Sequence, residues 1–139
     1  MRQRIIAYLA TALVLLSMDA TWLTHSIGFY RAHIGFLLRE TPNLPVAALF
    51  YGLYILGVVV FAVMPGLRLR SWRAAAWRAA LLGLVAYATY DLTNLATVKG
   101  FPASVAWVDM AWGVILSTVS ASLGYAVAAR FGEPTRRFK

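Results

Sequence analysis

The stretch IIAYLATALVLLSMDATWL, residues 5–23, decides the fold of this chain. It follows two basic residues, Arg2 and Arg4, and contains one charged side chain, Asp19. A helix needs about 20 mostly apolar residues to cross the roughly 30 Å of hydrocarbon in a bilayer, and this stretch has that length. Because no A-x-A cleavage pattern follows it, we interpret it as a retained membrane helix and not as a signal peptide.

Three further windows have the same apolar character, at residues 45–64, 74–96 and 105–129. The composition agrees with them, since 61% of the 139 residues are hydrophobic and only 13% are charged. These values lie outside the range of soluble domains. We therefore expect an all-α fold in which residues 1–139 form a single domain, a four-helix bundle embedded in the lipid bilayer.

Basic residues are distributed unevenly between the two sides of the predicted bundle. With four spans, the termini and the middle loop share one side, and only Arg31, Arg39 and Lys99 of the 13 basic residues lie on the other. Positive charge concentrates on the cytoplasmic side of membrane proteins, so we expect both termini in the cytoplasm. The net charge of +8 then reflects topology, and nucleic acid is not expected as a partner.

The connection between the first two spans is too long for a plain turn. Its apolar residues recur at helical spacing, which predicts a short helix at about residues 27–39 lying in the membrane interface. This helix is either a lid over a site or a simple connector. Pro42 and Pro45 mark its end and the start of the second span.

Three of the five acidic residues fall inside predicted spans: Asp19, Asp91 and Asp109. A charged side chain at the centre of a membrane helix costs about 2.5–3.5 kcal/mol on insertion scales, so each needs a reason. Counted at 1.5 Å per residue, all three lie in the outer half of the bundle. We regard them as candidate catalytic residues. The alternative is that they hold helices together by accepting hydrogen bonds.

Aromatic and polar residues share helix faces with these aspartates and predict a pocket in the outer half of the bundle. The expected binding residues are Trp22, Tyr51, Tyr54, Tyr87, Tyr90, Asn94 and Trp112. His25 and His33 lie on the same side, but their spacing matches no helical metal-ligand pair, so no metal is expected. Whether they join the site stays open, and no cofactor is indicated. Cysteine is absent from the chain, which excludes thiolate chemistry.

Four segments are similar to a known family: MDATWL at residues 18–23, FYGLY at 50–54, YATYDLTNLAT at 87–97 and DMAWG at 109–113. Together they resemble an uncharacterised family of small predicted bacterial inner-membrane proteins with a domain of unknown function. The resemblance implies an inner-membrane location, four spans and one domain, and it supplies no activity. The D-x-T-x-L pattern at 19–23 recurs at 91–95, either by duplication or by chance.

Three functions remain open from the sequence. The first is binding or modification of a lipid-like or hydrophobic small molecule, with the aspartates as acid and base. The second is an accessory role in a larger membrane complex, docked through faces rich in glycine and alanine. The third is a small proton- or cation-coupled transporter, working as a homodimer. Neither the ligand nor whether the protein is an enzyme can be deduced from these patterns.

Overall fold

The computed structural model describes residues 1–132, which form helices and no β-strand. The elements are α1 (Arg2–Ile34), a 3₁₀ turn (Gly35–Leu37), α2 (Leu44–Val58), a π-helical stretch (Val59–Val63), α3 (Met64–Leu69), α4 (Trp72–Thr97) and α5 (Ala103–Phe131). The stretch from α2 to α3 is one continuous helix, Leu44–Leu69. The expected all-α membrane helix bundle is confirmed.

Three helical segments in the described part are long and apolar enough to cross a membrane: Arg2–Leu37, Leu44–Leu69 and Ala103–Phe131. The predicted third span lies within α4, which has sufficient length but carries Arg73, Arg78 and Asp91. These charged residues reduce its hydropathy. A count of four spans therefore stays a prediction, as does the single-domain organisation.

The structure corrects the separate helix expected at residues 27–39. Residues 27–34 are the last turns of α1, and the 3₁₀ turn ends at Leu37. No proline interrupts α1, and three hydroxyl side chains just before residue 27 are satisfied within the helix. Thr21, Thr24 and Ser26 each donate a hydrogen bond to the carbonyl four residues earlier, at 2.6–2.8 Å. Hydroxyl groups that bond in this way are compatible with a continuing helix.

The bundle has two ends, which we name by their connections. The terminal end holds Met1, the turn at residues 70–71 and Gly132, and the distal end holds the connections at residues 35–43 and 98–102. At the terminal-end turn, Arg70 adopts a left-handed conformation with φ 51°. The Ser71 side chain then caps α4 by accepting the N–H of Ala74 at 3.2 Å.

Helix α5 is the central helix of the bundle, with α4 on one side and α1 on the other. Glycines allow the close approach: a Cβ on Gly83 would lie 2.4 Å from the Gly113 carbonyl oxygen, and one on Gly124 would lie 2.1 Å from Thr11 Oγ1. Small residues at such positions are typical of membrane helix packing. The continuous helix Leu44–Leu69 contacts the other helices mainly through its π-helical stretch, Val59–Val63, whereas the distal turns of α2 are largely exposed.

Candidate functional site

A cavity of about 280 Å³ opens in the distal half of the bundle. Residues from α1, α2, α4 and α5 line it, so it lies where the four helices meet. Its polar and aromatic lining comprises Asp19, Trp22, Tyr30, Tyr51, Tyr87, Tyr90, Phe101, Asp109 and Trp112, and its apolar lining comprises Leu23, Ile27, Ile34, Leu38 and Val105. Two carboxyl groups therefore face one cavity with aromatic walls.

Asp19 joins three helices through its carboxyl group. The Tyr51 hydroxyl on α2 donates to Asp19 Oδ2, and the Trp112 indole N–H on α5 donates to Asp19 Oδ1 at 2.9 Å. The side chain is only 8% exposed. Both oxygens thus accept from neutral donors that the fold holds in place, which orients the carboxyl group.

The Asp109 carboxyl group on α5 is held by a side chain of α1. The Tyr30 hydroxyl donates to Asp109 Oδ1, and the Trp22 indole N–H donates to that hydroxyl at 3.2 Å. The Trp22 ring stacks on Trp112, with ring centroids 4.4 Å apart and planes 9° from parallel. This aromatic pair therefore connects the Asp109 and Asp19 hydrogen-bond networks.

Tyr30 reaches Asp109 because α1 does not stop at the end of its predicted span. The residue pattern placed Tyr30 in a separate interfacial helix and did not predict its hydrogen bond to Asp109. The signal was the spacing: in one unbroken helix Trp22, Ser26 and Tyr30 are successive i, i+4 positions on one face. Because the predicted first span ended at residue 23, Tyr30 was not placed on the same helix face as Trp22.

Asp91 occupies a different place from the other two aspartates. Its side chain is completely buried, and it does not line the cavity. Neither of its carboxyl oxygens has a hydrogen-bond partner among residues 1–132. It belongs to the buried face of α4 that also contains Gly83, which packs against α5.

Two of the predicted binding residues, Asn94 and Tyr54, also lie outside the cavity lining. Asn94 is half-buried on α4, beyond Asp91. The Tyr54 hydroxyl is hydrogen-bonded to Ser117 Oγ at 2.7 Å, and the Tyr54 ring meets Tyr87 edge to face at 6.2 Å. Trp22, Tyr51, Tyr87, Tyr90 and Trp112 do line the cavity, together with Asp19 and Asp109.

The described residues contain no group of three or more His, Cys, Asp or Glu side chains arranged to hold a metal ion. His25 and His33 are exposed on α1, and the Nδ1 atom of each lies 2.8 Å from the carbonyl oxygen four residues earlier. His25 lines a separate groove on the other side of the tryptophan pair. Neither histidine lines the cavity.

Comparison with known proteins gives one family match. Residues 4–126 match the family described as Predicted membrane protein (DUF2177), a range that includes every residue lining the cavity. Neither the curated proteins nor the solved structures provide a match to the chain. The chain therefore belongs to DUF2177, a family of predicted membrane proteins of unknown function.

Proposed function

We propose that this protein binds or modifies a lipid-like or hydrophobic small molecule in the distal cavity. The observation that carries the proposal is the meeting of Asp19 and Asp109 in one aromatic-walled cavity. Ionisable residues inside membrane helices are costly, and those facing a cavity commonly serve a function. Here each carboxyl group is also oriented by aromatic donors from another helix, as a preorganised site requires.

The surroundings of the cavity favour a ligand that comes from the bilayer. The side chains of Leu44, Leu49 and Leu53 on α2 are each at least two-thirds exposed, because the distal turns of α2 are not covered by another helix. Leu23, Ile27 and Leu38 add apolar side chains to the cavity lining. An amphiphile can therefore place its polar head among the aromatic and acidic residues and its tail along α2.

Asp109 is better placed than Asp19 for proton transfer to a bound molecule. Asp19 accepts a hydrogen bond on each oxygen, whereas Asp109 accepts from Tyr30 on Oδ1 alone. Its Oδ2 atom is available to a ligand. If the protein modifies its ligand, we assign Asp109 as the general acid or base, because such a group must reach the reacting proton.

We further place the protein in the bacterial inner membrane with both termini in the cytoplasm. The concentration of basic residues near the termini and the 70–71 turn supports this orientation, and the family resemblance supports the location. The distal cavity then lies toward the outer leaflet.

No observation favours the accessory-subunit alternative over ligand binding. That alternative depends on faces rich in glycine and alanine, and three of those glycines, Gly83, Gly113 and Gly124, pack within the bundle.

Lipid retention tests the proposed function. The chain is purified in a mild non-ionic detergent, and bound molecules are counted by native mass spectrometry. We expect the unchanged protein to retain an amphiphile that the Asp19→Asn/Asp109→Asn double variant loses. Glu40→Gln is the matched control, since it removes one negative charge from an exposed position outside the cavity.

Circular dichroism and a monodisperse elution profile establish that the double variant is folded. An unchanged protein that carries no amphiphile after incubation with a total lipid extract would contradict the proposal. So would equal retention by a folded double variant.

A further inference from the structure

We infer that the ligand's head group is cationic, so that the cavity selects an amphiphile with a primary or quaternary ammonium group. This inference rests on the proposed function, which it makes more specific. Charge, aromatic surface and cavity size support it separately.

The cavity lining contains two acidic groups and no basic one. Asp19 and Asp109 contribute carboxyl groups, and no Lys, Arg or His belongs to the lining residues. Tyrosine and tryptophan donors hydrogen-bond the carboxyl groups without supplying positive charge. A carboxylate removed from water is stabilised by an opposite charge, and a phosphate head group would instead add a like charge.

The aromatic walls favour the same kind of head group. Seven aromatic side chains line the cavity: Trp22, Tyr30, Tyr51, Tyr87, Tyr90, Phe101 and Trp112. The negative faces of such rings attract ammonium groups, and aromatic cages are the usual means of binding quaternary ammonium ligands. Carboxyl groups beside aromatic rings therefore favour a cation over a neutral or anionic head.

The volume limits what the cavity encloses. About 280 Å³ is just below the range of roughly 300–1,000 Å³ found for small-molecule sites. A compact ammonium head group fits this space, whereas a phospholipid with two acyl chains does not. The hydrocarbon tail must then remain outside, against the exposed apolar surface of α2.

Three amphiphiles with the same tail test the inference: dodecyltrimethylammonium, dodecanol and dodecyl phosphate. Each is titrated into protein in dodecyl maltoside that carries Trp72→Phe, Trp77→Phe and Trp107→Phe. These three tryptophans are exposed and do not line the cavity. The remaining tryptophans, Trp22 and Trp112, line both the cavity and the groove beside His25, so their fluorescence reports binding at either place. Asp109 lines the cavity but not that groove, so loss of the signal in Asp109→Asn assigns the binding to the cavity.

We expect saturable binding of the ammonium compound, at least about tenfold tighter than binding of the alcohol or the phosphate. Asp109→Asn should weaken ammonium binding by about tenfold, and Glu40→Gln should leave it unchanged. The protein's net charge of +8 attracts the anionic compound in general, so a preference for the cation must come from the cavity. The ranking of the three compounds needs no aspartate variant, so it holds as a test even if Asp109→Asn does not fold.

The outcomes separate the two proposals. If dodecanol or dodecyl phosphate binds as tightly as the ammonium compound, the cationic head group is wrong while an amphiphile site stands. If a folded Asp109→Asn binds the ammonium compound unchanged, the inference is likewise wrong. If none of the three compounds binds, the proposed function fails as well.

Discussion

At the residue scale, three aspartates of the same chemical type have three different surroundings. Asp19 accepts two hydrogen bonds from other helices, Asp109 accepts one and faces the cavity, and Asp91 is buried without a partner in the described residues. Since a buried polar group without a hydrogen bond lowers stability, these surroundings predict opposite effects of mutation.

Substitution of Asp91 and Asp19 should therefore shift stability in opposite directions. We expect Asp91→Ala to raise the free energy of unfolding by about 1 kcal/mol, because it removes an unpaired carboxyl group from a buried position. Asp19→Leu should lower it by about 1–3 kcal/mol, because it leaves the Tyr51 and Trp112 donors unpaired. SDS-induced unfolding in mixed micelles, followed by circular dichroism, measures both. A destabilised Asp91→Ala would indicate that Asp91 has a partner essential to the fold.

The glycine contact between α4 and α5 gives a second prediction at this scale. Gly83→Val places a side chain against the Gly113 backbone, which cannot move aside, so we expect a loss of about 1–3 kcal/mol. Gly57→Val is the matched control, since a Cβ at Gly57 meets nothing within 4 Å. The same SDS titration compares the two. Equal midpoints for the two variants would disprove the close packing of α4 on α5 at this level.

At the element scale, the π-helical stretch Val59–Val63 sets the orientation of α2 relative to α3. An extra residue in a helical turn rotates the preceding part of the helix by about 100° about the helix axis. With this insertion, Tyr51 faces Asp19 while Gly66 below packs against Ala75. Such π-helical insertions occur frequently at functional sites.

Deletion of Val60 tests the role of this stretch. The deletion should convert the stretch to a regular α-helix and rotate α2, so that Tyr51 loses its hydrogen bond to Asp19. We expect helix content to stay unchanged while retention of the bound amphiphile is lost. Val60→Ala keeps the length of the helix at the same exposed position and should behave as the unchanged protein. Full retention after the deletion would mean that α2 does not orient the site.

At the scale of the whole molecule, the two ends of the bundle differ in character. The terminal end carries most of the basic residues, and the distal end carries the cavity. Exposed positions mark each end: Arg70 in the terminal-end turn, and Glu40 and Lys99 in the distal connections.

Cysteine labelling of intact cells tests the proposed orientation. The chain has no cysteine, so a single introduced one gives a clean signal. A membrane-impermeant maleimide should label Glu40→Cys and Lys99→Cys from outside, and Arg70→Cys only after permeabilisation. The unchanged protein is the control. The reverse pattern would invert the topology, and a Lys99→Cys that is labelled only after permeabilisation would exclude α4 as a span.

The sequence by itself determined the membrane class, the approximate helix positions, the family resemblance and the distal depth of the three aspartates. These features depend on length, hydropathy and rise per residue, which are local properties of a helix. Helical periodicity also predicted seven of the 14 residues that line the cavity, including Asp19, Tyr87 and Trp112.

Only the tertiary structure decided which carboxyl groups share the cavity. Asp91 and Asp109 have similar depths, but a side chain's direction depends on how its helix is rotated against its neighbours. The close contact at Gly83 and Gly113 accompanies a rotation that buries Asp91. The continuity of α1 beyond residue 23 was likewise not predicted from the residue pattern, and it is this continuity that brings Tyr30 to Asp109.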